Sequence, residues 1–218
     1  MVSKKSKGLV LLAMLLILTG NVVAASTTPI EIIRITTESV LSILSDKAID
    51  VTARRTKVRK TVEDKFDFEE MSRRTLSTHW NRIANNEKRE FVPLFKELLE
   101  NVYLSKLEQY ADVRVKYQKE TIEGNYASVF TIANTVSADV EIPIIYKLLL
   151  KDTKSWKIYD VQIEGISLVN NYRSQFNQIL GTGNKPFSQL LDMLRKKNME
   201  FSKDSVSTSS TYKFTGSK

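Results

Sequence analysis

The stretch from Trp156 to Phe176, WKIYDVQIEGISLVNNYRSQF, constrains the fold most tightly, because it passes from strand to helix within a few residues. Side chains alternate along a strand with period two. Simple alternation puts Trp156 and Ile158 on one face and Tyr159, Val161 and Ile163 on the other, so both sides of the sheet carry apolar material. Glu164-Gly165 breaks the pattern, and Ser167 is placed to cap the next helix by accepting a hydrogen bond from one of its unpaired N–H groups. Val169, Tyr172, Phe176 and Ile179 then recur at helical spacing, with Gly181 as the stop.

The strands before this junction follow one another with short breaks. Val113, Val115 and Tyr117 alternate with charged residues, as in a half-exposed strand, and Glu123-Gly124-Asn125 turns the chain into Tyr126–Val136. There Ala127, Val129 and Ala133 are small on one face, while Phe130 and Ile132 are large on the other. Val140, Ile142, Ile144, Tyr146, Leu148 and Leu150 place six apolar residues on a single face, and Pro143 opposite them calls for an edge position or a bulge. Asp152 to Ser155 then lead into the Trp156 strand, which makes an antiparallel meander of four or more strands.

Helices flank the meander. Ile30, Ile33, Thr37, Val40, Leu41 and Leu44 form one stripe behind Pro29, and a basic surface helix follows from Asp50 to Lys65. Phe66, Phe68 and Met71 dock a short helix. From Asn85 or Asn86 a longer one presents Phe91, Leu94, Phe95, Leu98, Leu99 and Val102, with Pro93 expected to kink it. After Gly181, Pro186 opens a last helix with the stripe Phe187, Leu190, Leu191 and Leu194. The fold class expected is α+β, a single domain with an antiparallel sheet between N- and C-terminal helices, enclosing an apolar cavity.

Both ends of the chain are expected to lie outside that domain. Lys4, Lys5 and Lys7, the apolar run Gly8 to Leu18 and the small residues Val23-Ala24-Ala25 have the layout of a cleaved signal peptide over residues 1–25. The apolar run is short for a bilayer span, which needs about 20 residues. The domain is expected over residues 26–200, and the Ser-, Thr- and Lys-rich residues 201–218 as a disordered tail. Three of the formal +8 charges belong to the signal-peptide lysines, which leaves +5, much of it around Arg54, Arg55, Lys57, Arg59 and Lys60. That cluster suits anionic headgroups or an acidic partner surface, or else forms a solvated helix face. With no cysteine, the chain has neither disulfides nor the residue that lipoprotein acylation requires.

The chemistry of catalysis is missing from the sequence. There is no thiol, no Gly-x-Ser-x-Gly elbow and no paired-histidine metal spacing, and the only histidine, His79, reads as structural. The expectation is no enzymatic activity, no metal and no cofactor.

Two blocks of residues resemble the MlaC family of periplasmic phospholipid-binding proteins. The first is Trp156-x-x-Tyr159-Asp160-x-x-x-Glu164-Gly165-x-Ser167 with its aromatic helix. The second is Phe68-x-x-Met71, Leu76 and Trp80, then Phe91-x-x-x-Phe95 with Leu98, Leu99 and Tyr103. The likeness runs from about residue 30 to about residue 197 and departs where the family usually writes Leu-Gly, since Ser77 follows Leu76 here. It implies a soluble, monomeric periplasmic shuttle that carries a phospholipid between the two membranes of a Gram-negative envelope, maintaining outer-membrane lipid asymmetry. It also implies an inner-membrane ABC transporter with its lipid-binding subunit and an outer-membrane lipoprotein complex as partners, and no nucleic acid. The alternative is a periplasmic adaptor of similar fold with a filled core and no lipid.

A lipid carrier needs depth rather than reactivity. Each methylene taken from water contributes about 0.8 kcal/mol, so two acyl chains of about 15 methylenes amount to about 25 kcal/mol. Shielding them takes a large apolar cavity with polar groups only at its mouth. The candidate lining residues are Val140, Ile142, Ile144, Tyr146 and Leu148, with Trp156, Phe95 and Leu99. The candidates for headgroup or partner contact are Arg54, Arg55, Arg59 and Lys60.

Overall fold

Residues 27–107, 113–135, 140–151, 155–181 and 186–213 are described by a computed structural model of the chain. The proposed signal peptide and its cleavage site lie outside them. The elements run in the expected order: α1 (Pro29–Ser45), α2 (Val51–Glu63), α3 (Phe68–Leu76), α4 (Asn85–Leu107), β1 (Val113–Glu123), β2 (Tyr126–Thr135), β3 (Val140–Lys151), β4 (Ser155–Ile163), β5 (Ile166–Ser167), α5 (Leu168–Leu180) and α6 (Ser188–Lys213). Local chemistry sets the helix starts. Thr28, Asp50, Asp67 and Ser167 each accept a hydrogen bond from an N–H of the first turn of α1, α2, α3 and α5.

The strands form one antiparallel sheet in the order β1-β2-β3-β4-β5, so this is an α+β fold in a single domain. Gly124 makes the β1–β2 turn with φ 57°. Glu164 and Gly165 make the β4–β5 turn with φ 50° and 80°, the two positive values a type I′ turn needs. β3 is a central strand, but its pairing with β4 extends only to Ile144↔Ile163. Pro143 lies just past that limit, where its missing N–H interrupts no β3–β4 ladder.

Alternation fails along β4. The β3–β4 register shifts between Lys147 and Leu148, pairing Lys147 with Asp160 and Leu148 with Ile158, so Tyr159 is the extra residue of a bulge. Trp156, Ile158, Val161 and Ile163 therefore share one face and one apolar cluster, and the expected division of these residues between two faces is wrong. The other side of β4 holds Tyr159, which stacks edge-on against Tyr126 at 6.0 Å.

Two main cores result. α3, α4, α5 and α6 enclose an aromatic one in which Phe91, Phe95 and Phe176 are at most 1% exposed and their ring centroids lie 5.5–5.7 Å apart. The second gathers the inner sheet face, where Ala127, Val129, Leu148, Trp156, Ile158 and Val161 meet Ile33 of α1. A small third cluster of Val40, Leu44, Val58 and Leu104 joins α1, α2 and α4. The C-terminal boundary also differs from expectation, because α6 continues through Phe201 to Lys213. Asn198 carries it past residue 200 by donating to the Leu94 carbonyl at 3.0 Å, and Phe201 packs on the aromatic core.

Candidate functional site

The register assigns the sheet faces. Ile142, Ile144, Tyr146 and Leu148 of β3 pair with Ala133, Thr131, Val129 and Ala127 of β2. On the β1 side, Val115, Tyr117, Glu120 and Ile122 continue the same face. On this face β2 carries only small or short side chains, while β1, β3 and β4 raise large ones around it. α1 lies across this floor. The Glu120 carboxylate accepts a hydrogen bond from Ile30 N at 2.7 Å, at the end of α1 where the dipole favours an anion. Arg34 stacks over the Tyr117 ring at 4.4 Å.

The face is sheltered without being filled. Leu148 and Val129 are fully buried, yet Tyr117, Ile142, Ile144, Tyr146 and Ile163 keep accessible surface. Tyr146 is only half-buried by surface area. Even so, it sits so deep among protein atoms that burial pushes its phenol up to about 12, against an opposing hydrogen bond with Thr37. Burial also raises Tyr117, and Thr37 of α1 opposes the rise at both phenols. Phe66 and Tyr103 pack against both main cores and form the seam between the sheet and the helices.

The expected lining residues are not all brought together. Ile144, Tyr146, Leu148 and Trp156 join the inner-face cluster, and Ile142 lies on the same face. Val140 is 47% exposed at the end of β3. Phe95 and Leu99 belong to the aromatic core of the helices and face away from the sheet cluster. Sequence reasoning missed Tyr117, Thr37, Phe66 and Tyr103. The half-polar pattern of β1 hid Tyr117, and the other three are placed by tertiary packing alone.

The basic cluster of α2 divides in two. Arg54 donates to the Leu44 and Ile49 carbonyls and so closes the α1–α2 junction. Arg59 reaches Asn101 at 2.8 Å and Glu100 at 3.5 Å, tying α2 to α4. Burial raises the Glu100 carboxyl above its ordinary value despite the Lys96 and Arg59 charges beside it. Arg55 is half-buried, while Lys57 and Lys60 are exposed.

Two open depressions of about 390 and 260 Å³ lie by this helix and beside Trp156, and neither opens over Ile144 and Tyr146. Among the described residues no group of three or more His, Asp or Glu is arranged to hold a metal ion. No helix among them is long and apolar enough to cross a membrane.

The family model described as MlaC protein matches residues 34–196, which spans the sheet, the seam and the buried residues of the aromatic core. The chain belongs to the MlaC family. Outside the family model, it is 25% identical over 120 residues to the intermembrane phospholipid transport system binding protein MlaC of Haemophilus influenzae. That match spans 54% of this chain and 56% of the relative, little more than half its length. A solved structure, the phospholipid-binding protein from Ralstonia solanacearum in complex with a phospholipid, superposes with a TM-score of 0.70 at 17% identity. The superposition covers 78% of this chain and 97% of that one, so the two share their fold from end to end of the smaller protein.

Proposed function

We propose that this MlaC-family chain is a periplasmic carrier that holds a phospholipid by its acyl chains against the inner face of the sheet and shuttles it between outer and inner membranes. One observation carries the reading: the large apolar residues Tyr117, Ile144, Tyr146 and Ile163 stay reachable around a floor of Ala127, Val129, Thr131 and Ala133. A core that served stability alone would close over such residues, because interiors pack to crystal-like density. Burying two acyl chains contributes about 25 kcal/mol, which is enough to fill a cleft of this kind without any specific polar contact. The names of the relative and of the solved neighbour agree with this ligand class.

Loading requires α1 to give way, since it lies over the face. Its hold on the sheet is built from Ile30, Ile32 and Ile33, the Glu120 hydrogen bond, the Arg34–Tyr117 stack and Thr37 beside Tyr117 and Tyr146. The carrier has no catalytic role in this reading and meets membrane machinery at each end, an inner-membrane ABC transporter subunit and an outer-membrane lipoprotein complex. Native mass spectrometry of protein purified from the periplasm tests the reading. A complex heavier than the polypeptide by one phospholipid is expected, and a population that is wholly lipid-free would refute it.

A further inference from the structure

The outer face of the sheet is left over from everything described so far. The helices take the inner face and the β4 edge, and the outer residues of β1, β2 and β3 belong to none of the three apolar clusters. The register collects them into a patch. Phe130 pairs with Ile145, and Ile132 pairs with Pro143, so four apolar side chains sit side by side. Phe130, Ile132 and Ile145 are half-buried by one another and Pro143 is exposed. Cations border them on the β1 side and at Lys147, while Gln162 of β4 flanks Ile145. Lys116 is the partner of Ile132 and Lys119 the partner of Phe130, while Arg114 and Lys147 extend the rim.

The rim also leans on the patch. Lys119 Nζ lies 4.9 Å from the Phe130 ring centroid, and Lys147 Nζ donates to Ser128 at 3.0 Å. Their stems cover apolar surface while their ammonium groups stay at its border, the posture of lysines at a boundary between water and a less polar medium. The acids on this part of the face are Glu141, which Lys116 approaches at 3.6 Å, and the buried Asp160, the register partner of Lys147. Partly exposed apolar side chains bordered mostly by cations mark an interaction surface.

We propose that this outer face docks the protein on an anionic lipid bilayer. A second copy of the chain fits poorly, because a two-fold pairing would set Lys116, Lys119 and Lys147 against their own counterparts. Neither of the two depressions described above lies on the patch, so neither supplies a hole there for an anchoring side chain of a protein partner. A bilayer needs no hole: the lysines meet lipid phosphates, and Phe130 and Ile145 enter the headgroup zone. The proposal rests on the carrier reading only in that a phospholipid carrier has to meet bilayers. Docking by the outer face leaves the inner face free to load.

Flotation with vesicles of equal parts phosphatidylglycerol and phosphatidylcholine tests it, with pure phosphatidylcholine vesicles as reference. The wild type is expected to float with the anionic vesicles only, and less so as salt is raised. Each lysine near such a surface is worth about fivefold in partitioning, so Lys119→Glu with Lys147→Glu should reduce it by more than about 25-fold. Phe130→Gln, which leaves the charge unchanged, should also weaken it. The same reversal at the exposed Lys196 and Lys197 of α6 should matter far less.

Equal loss from the two pairs of reversals would overturn the proposal in favour of bulk charge. Indifference of the wild type to anionic vesicles, with the Lys119 and Lys147 reversals abolishing capture by an acidic protein, would overturn it in favour of a protein interface. The phospholipid content of each variant is read separately by mass spectrometry. A lipid-free wild type would sink the carrier reading, whereas lipid-loaded protein that ignores vesicles would sink only the docking proposal.

Discussion

Phe95 and Tyr146 are both aromatic, both central to their cores and differently finished. Phe95 is 0% exposed, with Phe91, Tyr172 and Phe176 within 5.2–5.6 Å of its ring. Tyr146 is deep but reachable, and its neighbours across the register are Val129 and Val161. Aromatic helices close on themselves and supply stability. The sheet face keeps large side chains around small ones and supplies room. The same composition thus builds a filled core and a receptive one, and the difference lies in what packs opposite.

The largest expected effect falls on the filled side. Phe95→Ala should cost about 3–5 kcal/mol of stability, measured by denaturant unfolding, and leave the phospholipid content of the folded fraction unchanged. A variant that unfolds little but loses its lipid would erase the distinction between the two cores.

The next effect lies where the two regions meet. Asp160 of β4 is 7% exposed, accepts from the Ser167 hydroxyl at 2.6 Å and from Val169 N at 3.0 Å, and so fastens the sheet to the start of α5. Asp160→Ala leaves those donors unpaired and should cost about 1–3 kcal/mol in the same assay. No loss would mean that α5 is held by its aromatic face alone.

Within the helical region, Ser77 sits at φ 48° and ψ −119°, backbone that favours glycine, at the position where the family usually writes Gly. Ser77→Gly should raise stability by about 1 kcal/mol, read as a higher melting temperature, with no change in lipid content. A lower melting temperature would show that the serine is held there by contacts worth more than the strain.

The smallest effect is electrostatic. Burial works to raise the Glu70 carboxyl, but hydrogen bonds and charge from Arg73 and Arg74 outweigh it and hold the group below 4.5. A carboxyl depressed on folding adds stability that is complete above its unfolded value and lost as pH falls through the folded one. Glu70→Gln should therefore flatten the acid limb of the stability profile below about pH 4.5 and leave its slope near neutrality alone. An unchanged acid limb would place the acid sensitivity in other carboxylates.

Much of this was legible in the sequence, because local chemistry fixed it. Ser167 caps α5, Gly124 turns the first hairpin, and the stripe Ile33, Val40 and Leu44 is buried as its spacing requires. The bulge at Tyr159 was not legible, since nothing in its own composition marks the extra residue, and it moved Val161 and Ile163 to the face of Trp156. Apolar stripes likewise do not say which stripe meets which. Phe95 and Leu99 look as suitable for a ligand as Ile144 and Tyr146, and only the packing of α4 against α5 and α6 separates them. Arg54 and Arg59 read as surface charge until the carbonyls and carboxylate they bind are seen.

The receptive side is tested most directly at Ile144, which pairs with Thr131 and Ile163 on the inner face and keeps accessible surface. Phospholipid co-purifying with wild type and with Ile144→Trp should be quantified by native mass spectrometry, alongside the melting temperature of each lipid-free protein. An indole added to a filled core costs about 1–3 kcal/mol, whereas in a lipid cleft it occupies volume the acyl chains would take. The account predicts a variant that melts near the wild type and carries much less phospholipid. A variant that is fully loaded, or one that is strongly destabilised beside a wild type free of lipid, would contradict it.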